Sequence, residues 1–373
     1  MGKGTWPMTF VTVLTVAASV PLFIWINSLA DSVLLFTDSR SVALAFLLLA
    51  VAIWFFLHTA LHELGHVIFG KLSGYEFLGV SVFGIWLMKD AGGRIGIRYM
   101  PVRGAGGATV MLPKGGYRED TPYTMLLMGG VLMNILTVIF LAVIIVLDIW
   151  PQMNFFIAVV AMIGVFFALG SSVPSVSGTS VNDAETLRLF RRDAASKHCA
   201  YFLNKRSFDL INGADPAACS DEPPADLPAG NIFAESVRLS LIGTDIILGR
   251  NDIAEAKLLD LLKDVKEGGV ISGTAKTLLL FIRTAFGSDR EAIDPMYDDK
   301  MKKFVRSFSR SSTEAILFLV AYERRFDTGR TDIGKLVKRF NALIRRSGTD
   351  ASFERRMMDV LLSDDWEYLP KIN

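Results

Sequence analysis

Apolar positions are unevenly spread along this chain of 373 residues: nearly all the long apolar runs precede Pro174, and the remainder is rich in Lys, Arg, Asp and Glu. Four runs, at roughly Thr9–Leu29, Val42–Gly70, Tyr123–Leu147 and Phe155–Val173, reach the length of a membrane helix, about 20 mainly apolar residues. Each is predicted to span a bilayer. The first is long and lacks a convincing cleavage signal, so it reads as a retained span. Between the second and third runs, Gly79-Val80-Ser81-Val82-Phe83 and Ala108-Thr109-Val110-Met111-Leu112 are β-prone and separated by Gly-rich turns. They predict a small membrane-associated sheet, with an irregular amphipathic loop as the alternative.

After Pro174 a helical run is expected from Ala184 to about Lys197, and the proline-rich, acidic stretch Ala214–Asn231 reads as a linker or long loop. Helical patterns then recur from Phe233–Leu248 to Phe353–Leu362, with apolar residues three and four apart, as at Ile253, Ala256, Leu259 and Leu262. Helices of this length resemble a tetratricopeptide-like solenoid, but no clean repeat signature is present. The expected fold is mainly α: a polytopic membrane bundle of about four spans with a small β region, followed by a cytoplasmic α-helical domain. The expected division is a membrane domain over 1–190, a linker region over 191–231 and the helical domain over 232–373.

Charge sets the orientation. Lys89, Arg94, Arg98, Arg103, Lys114 and Arg118 lie between the second and third runs, and Arg188, Arg191, Arg192 and Lys197 follow the fourth. By the positive-inside rule these segments and both termini face the cytoplasm of a multi-pass protein of the cell membrane. A net charge of +1 with interspersed signs implies no nucleic-acid partner. Two cysteines, Cys199 and Cys219, argue against a disulfide framework and fit a reducing compartment.

Chemistry concentrates in His62-Glu63-Leu64-Gly65-His66, near the end of the second apolar run. Residues four apart share one helical face, so His62 and His66 can offer two imidazoles to one metal ion, with Glu63 placed to take a proton from water. A charge at the centre of a membrane helix costs roughly 2.5–3.5 kcal/mol on insertion scales, so such residues usually mark function. A hydrolytic zinc has three protein ligands and an open position. His58 is one turn before His62, but 58 and 66 are separated by roughly 12 Å along a helix axis, too far to share a metal. His198 lies more than twenty residues past the fourth run, and a surface helix is its plainer reading. Asp183 follows that run on the same expected side of the membrane. An Asp before Ala184-Glu185-Thr186-Leu187 also suits a helix cap, a place for which Asn182 competes.

Together, HELGH in a membrane helix, Gly129-Gly130 with Asn134 in the next core span, and an acidic residue after the following span resemble the site-2 protease family of intramembrane zinc metalloproteases. The resemblance covers roughly residues 42–190. It implies that His62, His66 and Asp183 bind one Zn2+ per chain, that Glu63 is general base and acid, and that Asn134 holds substrate backbone or polarises its carbonyl. It also implies that the β region can pair with an unwound substrate. Many members carry Asp-Gly at the third ligand, whereas Asp183 is followed by Ala184. Gly129 and Gly130 also serve close helix packing without any catalytic role.

The expected activity is hydrolysis of peptide bonds in membrane-spanning or membrane-associated proteins, with a membrane protein or peptide as substrate. A cytoplasmic regulatory protein at the C-terminal helical domain is a further expected partner. The rival reading is a non-proteolytic membrane regulator or immunity protein that uses the same scaffold to bind a peptide.

Overall fold

The structure, a computed structural model, describes residues 40–100, 106–177, 180–215, 222–287, 290–329, 331–347 and 351–363. The expected span Thr9–Leu29 and Cys219 lie outside the described residues. The fold is mainly helical with a small antiparallel sheet. The described residues fall into two compact units, within Met1–Lys89 and Ile95–Arg192 on one side and Asp90–Arg94 and Asp193–Asn373 on the other.

The first unit opens with helix α1, Arg40–Leu72, which contains the HELGH residues in its second half. Strands β1 (Tyr75–Val82), β2 (Ile85–Lys89), β3 (Ile95–Tyr99) and β4 (Gly107–Pro113) come next. They form one antiparallel sheet in the order β3-β2-β1-β4, so β4 is an edge strand although it comes last in sequence. Both β-prone runs are therefore strands, and they are neighbours: Ser81 pairs with Ala108 and Val80 with Thr109. The β1–β2 hairpin turns through Phe83 and Gly84, both at positive φ (48° and 81°), the backbone of a two-residue turn that matches strand twist.

Helix α2, Thr124–Val146, and helix α3, Asn154–Ser172, complete the apolar part of this unit. A two-stranded ribbon of β5 (Val176–Ser177) and β6 (Ser180–Val181) leads into helix α4, Asp183–Arg192. Among the described residues two helices, Leu48–Leu72 of α1 and Thr124–Val146, are long and apolar enough to cross a membrane. The expected span Phe155–Val173 forms α3, but its apolar helix, Phe156–Ser172, is shorter than that. At 1.5 Å per residue such a helix reaches only about 25 Å, against a hydrocarbon core of about 30 Å.

In the second unit the expected single run Ala184–Lys197 is broken at Asp193. Its extended backbone and side chain cap a new helix, α5 (Ala194–Ile211), by accepting from the Ala195 N–H. Residues 194–211, within the stretch expected to be a linker, are thus helix. Cys199 and Phe202 are buried there against Ala234 and Val237 of α6, Ile232–Ile247. The apolar partners lie beyond the proline-rich segment, which is why the local composition concealed the packing.

The remaining helices are α7 (Asn251–Asp264), α8 (Val270–Phe286), α9 (Arg290–Ile293), α10 (Asp299–Phe308), α11 (Thr313–Phe326), α12 (Ile333–Ser347) and α13 (Ser352–Leu362). Leu279, Leu280 and Phe281 of α8 and Ile316, Phe318 and Val320 of α11 lie at the centre of one apolar core.

Candidate metal centre

In the first unit large apolar side chains face outward while a group of polar ones is enclosed. On α1 Leu48, Leu49 and Ile53 are exposed, as are Leu136, Ile139 and Phe140 on α2, while His58, His62, Glu63, His66 and Asn134 are buried. Only 28% of an 18-residue window in each long apolar stretch is buried within the structure, so most of each window faces outward.

The buried polar residues converge. His62 Nε2 lies 3.0 Å from Asp183 Oδ2, His66 Nε2 lies 3.4 Å from the same oxygen, and the two Nε2 atoms are 3.2 Å apart. Three ligands placed tetrahedrally about one zinc at 2.0–2.1 Å would be separated by about 3.3 Å, so the triangle matches the face of such a site. Its chemistry matches too. His66 donates from Nδ1 to the Leu126 carbonyl at 2.7 Å, which leaves its Nε2 a bare lone pair facing Asp183. A lone pair and a carboxylate oxygen in such proximity call for a cation between them. His62, His66 and Asp183 can hold a metal ion.

Local structure explains why Asp183 is available. The helix cap is Asn182: its Oδ1 accepts from the Glu185 N–H at 3.0 Å and from the Ser175 N–H at 3.0 Å. Its amide nitrogen donates to the Val173 carbonyl at 2.6 Å, tying the α3 exit to the α4 start. Asp183, the first residue of α4, therefore turns its carboxylate to the histidines instead of its own backbone.

The glycines act by approach distance. A Cβ on Gly65 would meet the Gly129 carbonyl oxygen at 2.3 Å, and one on Gly129 would meet the Gly65 oxygen at 2.6 Å, so α1 and α2 touch backbone to backbone. A Cβ on Gly130 would fall 2.4 Å from the His62 ring. One turn on, the Asn134 side-chain nitrogen is 3.0 Å from His62 Nδ1. Gly129, Gly130 and Asn134 thus have separate tasks: helix contact, room for the imidazole, and a polar partner for its far nitrogen.

Glu63 faces β4. Thr109 donates its hydroxyl to Glu63 Oε2 at 2.6 Å, and a Cβ on Gly107 would collide with the carboxylate at 2.3 Å. Glu63 directly follows His62 in α1, and both side chains are buried. Sequence reasoning missed Thr109 as a partner of Glu63 and the Leu126 carbonyl as a partner of His66. The first carried only a β-prone run as its signal, and the second none, because a backbone carbonyl leaves no trace in residue type.

The other candidates separate from the site. His58 is buried one turn before His62 and bonds to the Val160 carbonyl at 2.9 Å. His198 belongs to α5 in the other unit, and its neighbour Cys199 is buried with its thiol pushed up to about 12 by burial and by Asp193 and Asp226, which makes it unreactive. No family model matches the chain, and neither a curated protein nor a solved structure matches it.

Proposed function

We propose that this protein is an intramembrane zinc metalloprotease of the site-2 protease type, a multi-pass protein of the cell membrane with both termini in the cytoplasm. The observation that carries the reading is the juxtaposition of a metal-type triangle, His62, His66 and Asp183, with a buried carboxylate, Glu63, in a helix whose outer face is apolar. When bound, zinc supplies Lewis acidity that polarises a peptide carbonyl and acidifies water. Glu63 accepts the proton from that water and returns it to the leaving amine. Thr109, by donating to Oε2, orients the carboxylate for both transfers. Asn134, which the resemblance casts as a holder of substrate, is wholly buried with its amide on His62, and so enters as a positioning residue for that ligand.

A helical substrate hides its carbonyls in its own hydrogen bonds and must unwind before attack. The edge strand β4 passes beside Glu63 at Gly107 and Thr109, where an extended peptide can be held by strand addition. The second helical unit serves the binding of a regulatory protein or control of access. The test is cleavage of single-span peptides by purified protein in lipid. Glu63→Gln should retain zinc and lose on the order of 10²–10⁴-fold in rate, as expected for loss of a general base. Cleavage at the wild-type rate would remove Glu63 as the base, and zinc binding without cleavage by wild type would favour a peptide-binding regulator.

A further inference from the structure

His58 is wholly buried, has no part in the proposed chemistry and sits in a fitted slot. Phe167 stacks on its ring with centroids 6.1 Å apart and planes 21° apart, and a Cβ on Gly164 would fall 2.7 Å from its Cε1. Its Nε2 is 2.9 Å from the Val160 carbonyl, which can only accept, so Nε2 carries a hydrogen and Nδ1 of the neutral ring is bare. The same Cβ on Gly164 would meet Val138, one turn after Asn134 on α2, at 2.8 Å and His58 Nδ1 at 3.3 Å, so the Nδ1 side of the ring lies against this stretch of α2. Yet His58 Nδ1 and Asn134 Oδ1 are each buried without a hydrogen-bond partner. A buried acceptor left without a donor is unfavourable, and here there are two.

A half-turn of the Asn134 amide removes both defects, and such an orientation is decided by the hydrogen-bond network. Oδ1 then accepts from His62 Nδ1–H, the contact now made by the amide nitrogen at 3.0 Å. Nδ2 donates to His58 Nδ1. The alternative, an Nδ1–H on His58 as well, requires a buried imidazolium with no carboxylate bonded to it among the described residues. It would also have Asn134 donate to His62 Nδ1, leaving the hydrogen on the His62 nitrogen that faces Asp183.

We propose that His58 is a positioning residue for the metal centre: through Asn134 it holds His62 in the Nδ1–H form, whose bare Nε2 points at the metal. The relay runs Val160 carbonyl, His58, Asn134, His62, and gives His62 the same tautomer that the Leu126 carbonyl gives His66. It spans three helices, so the ligand on α1 is oriented by both α2 and α3.

The inference rests on the metal-centre reading, and the experiment separates the two. Full-length protein is titrated with Co2+ against a competing chelator, following the visible bands of the bound ion, with zinc affinity read by displacement. A wild type that binds neither ion overturns the metal centre itself. Given wild-type binding, His58→Leu should weaken it by about 10–100-fold and alter the cobalt spectrum. His58→Gln should stay within about threefold of wild type, because its amide can donate to Val160 and accept from Asn134. In an Asn134→Leu background, His58→Leu should cost nothing further. Unchanged affinity in His58→Leu, equal losses in the Gln and Leu variants, or additive losses in the double variant would each overturn the relay. Nitrogen NMR of histidine-labelled wild type needs no variant to fold: it should show Nε2–H on His58 and Nδ1–H on His62, and Nδ1–H on His58 sinks the proposal.

Discussion

The two units differ in what they turn outward. In the first, α1 and α2 turn Leu48, Ile53, Leu136 and Phe140 outward and enclose His58, His62, Glu63, His66 and Asn134. In the second, α8 and α11 enclose Leu279, Phe281, Ile316 and Phe318, while charged pairs such as Arg283–Glu255 and Arg290–Asp294 lie nearer the surface. The second is organised by removal of apolar surface from water. The first leaves large apolar side chains outside, and to those it buries, such as Val131 and Val160, it adds close helix contact at Gly65 and Gly129 and hydrogen bonds among enclosed polar groups.

The largest expected effect tests where apolar contacts stabilise. Phe318→Ala, in the core of the second unit, should cost about 3–5 kcal/mol, read as faster hydrogen exchange of α11 amides in the full-length protein. Phe140→Ala, at an exposed α2 position, should leave α2 exchange within about 0.5 kcal/mol of wild type. Comparable losses in both would erase the contrast between the units.

Next in size is a charge placed at an exposed apolar position. Phe140 is 64% exposed and Leu259 is 41% exposed, yet Phe140→Asp should cost about 2.5–3.5 kcal/mol in a membrane-insertion assay. Leu259→Asp should change the stability of α7 by about 0.5 kcal/mol or less, measured by hydrogen exchange. If Phe140→Asp inserts as well as wild type, the outer face of α2 is not a lipid surface.

The smallest effect sharpens the role of Asp183 within the first unit. Asn182→Ala should cost about 1 kcal/mol, the usual loss for an N-cap, seen as fraying of α4. Asp183→Ser should leave α4 intact and abolish metal binding measured by competition, because Ser is a poor zinc ligand. A zinc-replete Asp183→Ser protein would take the carboxylate out of the site.

The amino-acid sequence by itself determined the helices α1 and α2, the two β-prone runs and the histidine pair, because each arises from near-neighbour periodicity. Side chains four apart on a helix meet whatever else the chain does. It also singled out Gly129, Gly130, Asn134 and Asp183, and read close helix packing for the glycines, but not the contacts of Gly130 and Asn134 with His62. Residue type alone left open whether Asp183 caps α4 or faces His62; Asn182, by holding the cap, decides it. That β4 becomes the edge strand beside Glu63, that Thr109 bonds to that carboxylate, and that α5 packs against a helix beyond a proline-rich stretch all depend on pairings across tens of residues. Only the tertiary structure decided them, since a hydrogen bond between distant residues is set by how whole helices and strands dock, and local composition carries no record of that partner.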